Sequence, residues 1–208
     1  MYYRVMLNQT HVVVHLDDIQ ANLLAIRAAM GPSRKVLLSV KANAYGHGAV
    51  GVARTAAAAG VDWLGVATVP EGLELRQVGI TLPVLKLSLA FPEEMDAAVV
   101  GELTLAVCDK ANAAALEAVC AARRTQATVH LVIDTGMAQI GVQPLLAPEF
   151  AGFLAEHCRR LRIQGVFTHL PVSDAANPTY TEAQVLSFRA AVEAVEARLG
   201  RNLELVHY

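Results

Sequence analysis

Short β-branched runs alternate with amphipathic helical patterns along this 208-residue chain, and that beat restricts its fold more than any single motif does. Strands that alternate with helices are most simply joined as parallel βαβ units. The spacing predicts strands over Val12–Leu16, Val36–Lys41, Trp63–Thr68, Val84–Leu89, Thr104–Cys108, Thr128–Asp134, Ile163–His169 and Leu203–His207. Several are apolar on both faces, as strands covered by helices must be. Between them the helices carry their own punctuation. Asn177-Pro178 opens the last one, with Thr181 and Gln184 at capping-box spacing and Gly200 at its close. Its Val185, Phe188, Val192, Val195 and Leu199 fall on one stripe, and Phe150, Phe153, Leu154, His157 and Leu161 share a face after Pro148.

Eight predicted strands invite a complete (β/α)8 barrel. Such barrels usually take about 250 residues, and each strand is followed by its helix. Here the last strand falls at the end of the chain. The expectation is an α/β fold, a TIM-type (β/α)8 barrel that stops after its seventh strand and so lacks the eighth.

Composition narrows the partners. A formal net charge of -2 with scattered Lys and Arg offers no basic face for nucleic acid or an anionic membrane. The 54% of hydrophobic residues are spread among charges, with no run of the roughly 18 apolar residues that a spanning helix needs. The first residues lack the apolar core and cleavage site of a signal peptide. Cys108, Cys120 and Cys158 are odd in number and widely spaced, as ordinary apolar residues in a reducing compartment would be. A cytoplasmic protein is expected.

In a barrel, reactive groups come from the C-terminal ends of the strands. Four polar clusters fall there: Lys41 to Gly48, Asp134-Thr135-Gly136-Met137, Thr168-His169 and His207-Tyr208. In the first, the apolar run Val36-Leu37-Leu38-Ser39-Val40 delivers Lys41 into a loop of Ala, Asn, Tyr and Gly. An ammonium at the end of a buried strand is costly unless paired. A lysine kept in such a place becomes a nucleophilic amine of the kind that forms Schiff bases with carbonyl compounds. Gly46 and Gly48 let the backbone approach a ligand, and Tyr45 offers a hydroxyl. Each feature also has a plainer reading. Lys41 can snorkel into water, Asp134 can simply cap a turn, and His130, His157 and His169 can be histidines at the edge of the core. His11 and His15 share a predicted strand face with no assignable carboxylate, so no metal site is expected.

The runs VKANAYGHG, VIDTGMAQIG, GVFTHLPVSDAANPTYTEAQ and LELVHY, in that order, resemble the barrel domain of bacterial alanine racemase, over essentially the whole chain. That family depends on pyridoxal 5'-phosphate. The resemblance implies that Lys41 holds the cofactor covalently and is one of two acid/base groups. It also implies that Tyr45 touches the cofactor phosphate and that Leu87 and His169 line its ring. Residues 17–208 would be the barrel, and residues 1–16 a strand packing with a β-rich second domain. The implied activity interconverts L- and D-alanine, with serine as another small substrate, and supplies D-alanine for cell wall. The second base would be a tyrosine from the partner subunit of a homodimer.

The sequence departs from the family pattern at two positions that act together. Gln139 stands where the family has an arginine reaching the substrate carboxylate, and Val132 where many members have the carbamylated lysine that orients it. Glutamine can donate a hydrogen bond to a carboxylate but cannot form a charged bidentate pair. Two other readings accompany the racemase: a barrel that binds the cofactor without turnover, and a degenerate barrel with no cofactor. Racemisation by these 208 residues alone is not expected.

Overall fold

The computed structural model describes residues 12–208. Its first half runs α1 (Leu16–Met30), β1 (Leu37–Ser39), α2 (Lys41–Tyr45), α3 (Ala49–Ala58), β2 (Trp63–Val66), α4 (Val69–Gln77), β3 (Val84–Leu89) and α5 (Pro92–Val100). The second half runs β4 (Thr104–Val107), α6 (Lys110–Arg123), β5 (Ala127–Val132), a 3₁₀ turn at Pro144–Leu146, α7 (Ala147–His157), β6 (Leu161–Phe167), α8 (Thr179–Leu199) and β7 (Leu205–His207). Among the described residues the strands form one parallel seven-stranded sheet in chain order, β1 to β7, with each strand paired to the next. This is the incomplete (β/α)8 barrel expected from the spacing.

The sheet is strongly curled. Trp63 on β2 and His130 on β5 bring their ring centroids to 5.4 Å, although three strand spacings in a flat sheet would put them roughly 14 Å apart. Curling divides the interior in two. The larger core lies between strands and helices and includes Leu64, Leu75, Met95, Leu105, Leu116, Leu131, Leu154 and Phe188, each at most 1% exposed. A smaller core fills the concave face with Trp63, Leu85, Ala106, Val132 and Phe167. Buried on both faces, β2 and β4 are the strands that reading by composition finds most readily.

Local chemistry sets the helix boundaries. Thr68 and Glu71 form a capping box at the start of α4, and the Asp109 carboxylate accepts the Asn112 N–H at 2.7 Å to cap α6. α8 departs from the expected capping box. Asn177 Oδ1 accepts the Thr179 N–H at 3.0 Å instead. Thr181 donates to the Val172 carbonyl at 3.3 Å, and Gln184 is 2% exposed and turned toward the Asp134 turn. Its stripe holds nonetheless, with Phe188, Val192 and Val195 buried, and Gly200 ends the helix at φ 66°. Leu161 belongs to β6, and His157 is exposed against the Phe153 ring.

The predicted strand at Val12–Leu16 is not formed. Val12–His15 are neither helix nor strand, and Leu16 opens α1. Two carboxylates, Asp17 and Asp18, sit in the first helical turn, where the positive end of the helix dipole favours them, and Ile19 and Leu23 turn inward at a spacing of four. His11 and the rest of residues 1–11 lie outside the described residues.

Gly165 sets how closely β6 approaches β7. A Cβ there would lie 2.7 Å from the Leu205 carbonyl oxygen and 3.0 Å from Leu205 Cβ. Gly165→Ala is therefore expected to cost about 1–3 kcal/mol in stability and to loosen β7. Denaturant unfolding together with amide exchange at Thr168, whose N–H donates to the His207 carbonyl at 3.2 Å, measures both effects. Parental stability with a protected Thr168 amide would show that the contact is slack.

Candidate functional site

One buried residue, Val40, separates β1 from Lys41. Directly after the lysine the backbone turns left-handed: Ala42, Asn43, Ala44 and Tyr45 have φ of 51°, 55°, 51° and 53°. A left-handed helical conformation costs an L-residue about 1–2 kcal/mol, so four in succession must be held by their surroundings. They are. The Ala44 N–H reaches the Val40 carbonyl at 2.8 Å, and the Gly46 N–H is shared between the carbonyls of Ala42 and Asn43 at 3.1 Å. Asn43 Oδ1 accepts the Ala49 N–H at 2.8 Å, and Glu71 Oε1 accepts the Ala42 N–H at 2.8 Å. Gly46 and Gly48, at φ 88° and 89°, close the turn where a side chain would be strained.

The turn stands Lys41 half-buried at the strand mouth, with Nζ 5.9 Å from the Tyr45 ring centroid. Tyr45 is 61% exposed and its hydroxyl lies 3.4 Å from Ser39 Oγ, at the rim and not among the residues lining the central cleft. That cleft, about 880 Å³, is lined by Lys41, Leu87, Gln139, His169, Phe167 and His207 among others. It brings together every site residue expected from the sequence except Tyr45. It also continues along the gap between β1 and β7 as far as Arg34, Lys35 and Glu204 at the opposite end of the barrel.

Each wall has its own support. Leu87 meets Leu37 over the bare backbone of Gly65, where a Cβ would come within 3.0 Å of both side chains. Asp134 forms the turn its residue type suggests, with Oδ1 accepting the N–H groups of Gly136 at 2.9 Å and Ala138 at 3.0 Å. From α8, Tyr180 donates to the Gly136 carbonyl at 3.2 Å and Gln184 to that of Thr135 at 3.3 Å. Gln139, exposed, is carried into the cleft by this braced loop, and Val132 is buried on the concave face. Thr135 and Thr168 share a hydroxyl–hydroxyl bond of 2.8 Å, which ties the loop to the strand end that bears His169.

Two contributors, Lys86 and His130, are not marked by strand-end spacing. Lys86 is 2% exposed, with Nζ donating to the Leu89 carbonyl at 2.6 Å and Ser88 Oγ at 3.0 Å and lying 3.3 Å from the Glu94 carboxylate. It pins the irregular end of β3 beside Leu87, where the register shifts. A lysine inside the apolar run VLKLSL, followed by a glutamate in the next helix, is the signal that could have found it. The second, His130, is paired with the strand-end His207: His130 Nδ1 and His207 Nε2 lie 2.9 Å apart, one ring donating and the other accepting. His130 also contacts Gln164 Oε1 at 3.4 Å, and His207 stacks on Phe167. Among the described residues no group of three or more His, Cys, Asp or Glu is arranged to hold a metal ion.

The fold and site define a class: an open parallel α/β barrel that presents a lysine amine, an imidazole and a glutamine at its strand-end mouth. The family model described as "Alanine racemase, N-terminal domain" matches residues 14–208. An alanine racemase of Cutibacterium acnes is 41% identical over 200 residues, covering 95% of this chain and 52% of that protein. One from Treponema denticola is 36% identical, with coverage of 95% and 52%. Among solved structures, alanine racemase of Clostridium difficile 630 superposes with a TM-score of 0.88 at 31% identity, covering 93% of this chain and 50% of that one. The Bacillus anthracis enzyme with bound L-Ala-P gives 0.86 at 30% identity. The chain belongs to the alanine racemase N-terminal domain family, whose members use pyridoxal phosphate, and it spans about half the length of the curated relatives it matches.

Burial pushes the His130 imidazole from 6.5 down to about 4; Arg162 adds to the fall, while Gln164 and Glu204 oppose it. Burial, then the neighbouring His130, pushes His207 down to about 3. Between the unfolded value of 6.5 and these folded values the unfolded chain binds more protons, so stability falls as pH falls through that window. The expected slope is up to about 1.4 kcal/mol per pH unit for each histidine. Denaturant midpoints across that window test this, with His130→Asn expected to flatten the slope. Equal stability across the window would mean that both rings are solvated.

Proposed function

We propose that this chain is the cofactor-bearing part of a pyridoxal-phosphate-dependent amino-acid racemase that acts on alanine, with Lys41 as the residue that carries the cofactor. The observation that carries this reading is the Lys41 amine, set by a left-handed turn at the mouth of a cleft that Leu87, His169 and Gln139 also line. The donor set suits the group: a primary amine for its aldehyde, a phenol hydroxyl on the same turn for its phosphate, and an apolar side chain and an imidazole for the flanks of its ring. When bound, pyridoxal phosphate supplies an electron sink for the pair left as an amino acid loses its α-proton.

The chain's own residues then divide the remaining work. Lys41 anchors the cofactor and, when its amine is free, takes or returns a proton on one face of the substrate. Tyr45 binds the phosphate, and Leu87 and His169 hold the ring in place. Gln139 offers a neutral hydrogen bond to the substrate carboxylate, where an arginine would offer a charged fork. Because Gln139 alters the carboxylate site, serine stands beside alanine as a substrate to be tested. The opposite face needs a second base, assigned here to a tyrosine of the partner subunit in a homodimer. In this reading the enzyme is cytoplasmic and supplies D-alanine for cell wall. No helix among the described residues is long and apolar enough to cross a membrane.

Incubation with pyridoxal phosphate followed by borohydride should leave a stable adduct that peptide mapping places on Lys41. Lys41→Ala should lose that adduct while keeping its melting temperature. Equal trapping by the Lys41→Ala protein would overturn the assignment.

A further inference from the structure

We propose that Glu71 is a positioning residue that holds the Lys41 turn in its left-handed form and so sets where the amine is presented. The inference rests on the reading of Lys41 as the cofactor-bearing lysine. Turn and carboxylate belong to different βα units, since α2 follows β1 and Glu71 lies in the first turn of α4, after β2. One carboxylate oxygen, Oε1, accepts the Ala42 N–H at 2.8 Å. The other, Oε2, accepts the N–H groups of Ala67 at 2.8 Å and Thr68 at 3.1 Å. A helix cap requires only the Thr68 bond. The reach across to Ala42 lies beyond what α4 needs.

The place of that bond gives it leverage. Ala42 is the first of the four left-handed residues, and its N–H belongs to the peptide that joins it to Lys41. Fixing that N–H fixes the peptide plane at which the left-handed run begins. The anchor itself is stiff, with Val69 and Leu75 of α4 buried on either side of Glu71. Burial pushes the Glu71 carboxyl up, but its hydrogen bonds from the N–H groups of Ala42, Ala67 and Thr68 and from the Thr68 hydroxyl outweigh that and hold it below the usual carboxylate range. It stays ionised, so its hydrogen bonds are of the stronger, charge-assisted kind, and the positive end of the α4 dipole favours the charge.

The competing explanation is that Glu71 only caps α4, and two variants separate the two. Thr68→Ala removes the hydroxyl that accepts the Glu71 N–H at 3.4 Å and leaves the Ala42 bond in place. Glu71→Gln leaves one acceptor oxygen, enough for the turn or the cap but not for both. The readouts are the rate of borohydride-trappable adduct formation at Lys41 with pyridoxal phosphate, the melting temperature, and amide exchange at Ala42. Glu71→Gln is expected to slow adduct formation by about tenfold or more, the effect of one good hydrogen bond, and to expose the Ala42 amide. Thr68→Ala is expected to melt earlier yet form adduct at the parental rate. Adduct formation at the parental rate in Glu71→Gln, or equal slowing in Thr68→Ala, would overturn the proposal. Should Glu71→Gln not fold, exchange in the parent decides: an Ala42 amide as protected as that of Ala67 supports the anchor, and one exchanging like a free loop refutes it. A parent that forms no adduct would defeat the Lys41 reading alone, and the Ala42 exchange would still judge the anchor.

Discussion

A parallel strand must be covered on both faces, and that requirement organises this molecule. Helices supply one cover. The other comes from the sheet rolling onto itself until Trp63 of β2 touches His130 of β5. Rolling gathers the carboxyl ends of all the described strands at one rim, so residues far apart in sequence, from Lys41 to His207, line a single cleft. The site is thus a by-product of core formation. The same side chains that fill the concave face, Phe167 and Val132 among them, form the floor on which the polar groups stand.

Strand positions and the rim were legible because they depend on composition alone: β-branched runs mark strands, and polar residues follow them. What could not be read is what depends on backbone handedness or on contacts between units. Nothing in Ala42 or Ala44 signals a left-handed turn, since alanine rarely adopts one, and only Asn43, Gly46 and Gly48 hint at unusual geometry. The capping-box spacing of Thr68 and Glu71 announces a helix start but not a bond to a loop 29 residues earlier. Likewise, Thr181 and Gln184 have the right spacing for a cap, yet tertiary packing uses them to brace other loops. The run VVVHL reads as a strand, and the two aspartates that follow make its end a helix.

The two departures at Val132 and Gln139 read as one change when seen in the fold. Val132 is packed among the apolar side chains of the concave core, where a charged group would need a partner. Gln139 sits on a loop held from three sides, by Asp134, Tyr180 and Gln184. The scaffold that aims this position is therefore kept while its charge is absent. Geometry and charge have been separated at one point of the cleft.

The gap between β1 and β7 runs the full height of the barrel, from Lys35 at the floor to Tyr208 at the rim. A segment filling that seam would satisfy the strand edges of β1 and β7 that are unpaired among the described residues, shut water out of the interior and add to the wall of the mouth. Closure of the shell and completion of the pocket would then be the same event. Affinity for a ligand at the rim would be coupled to the integrity of the floor at the opposite end of the barrel.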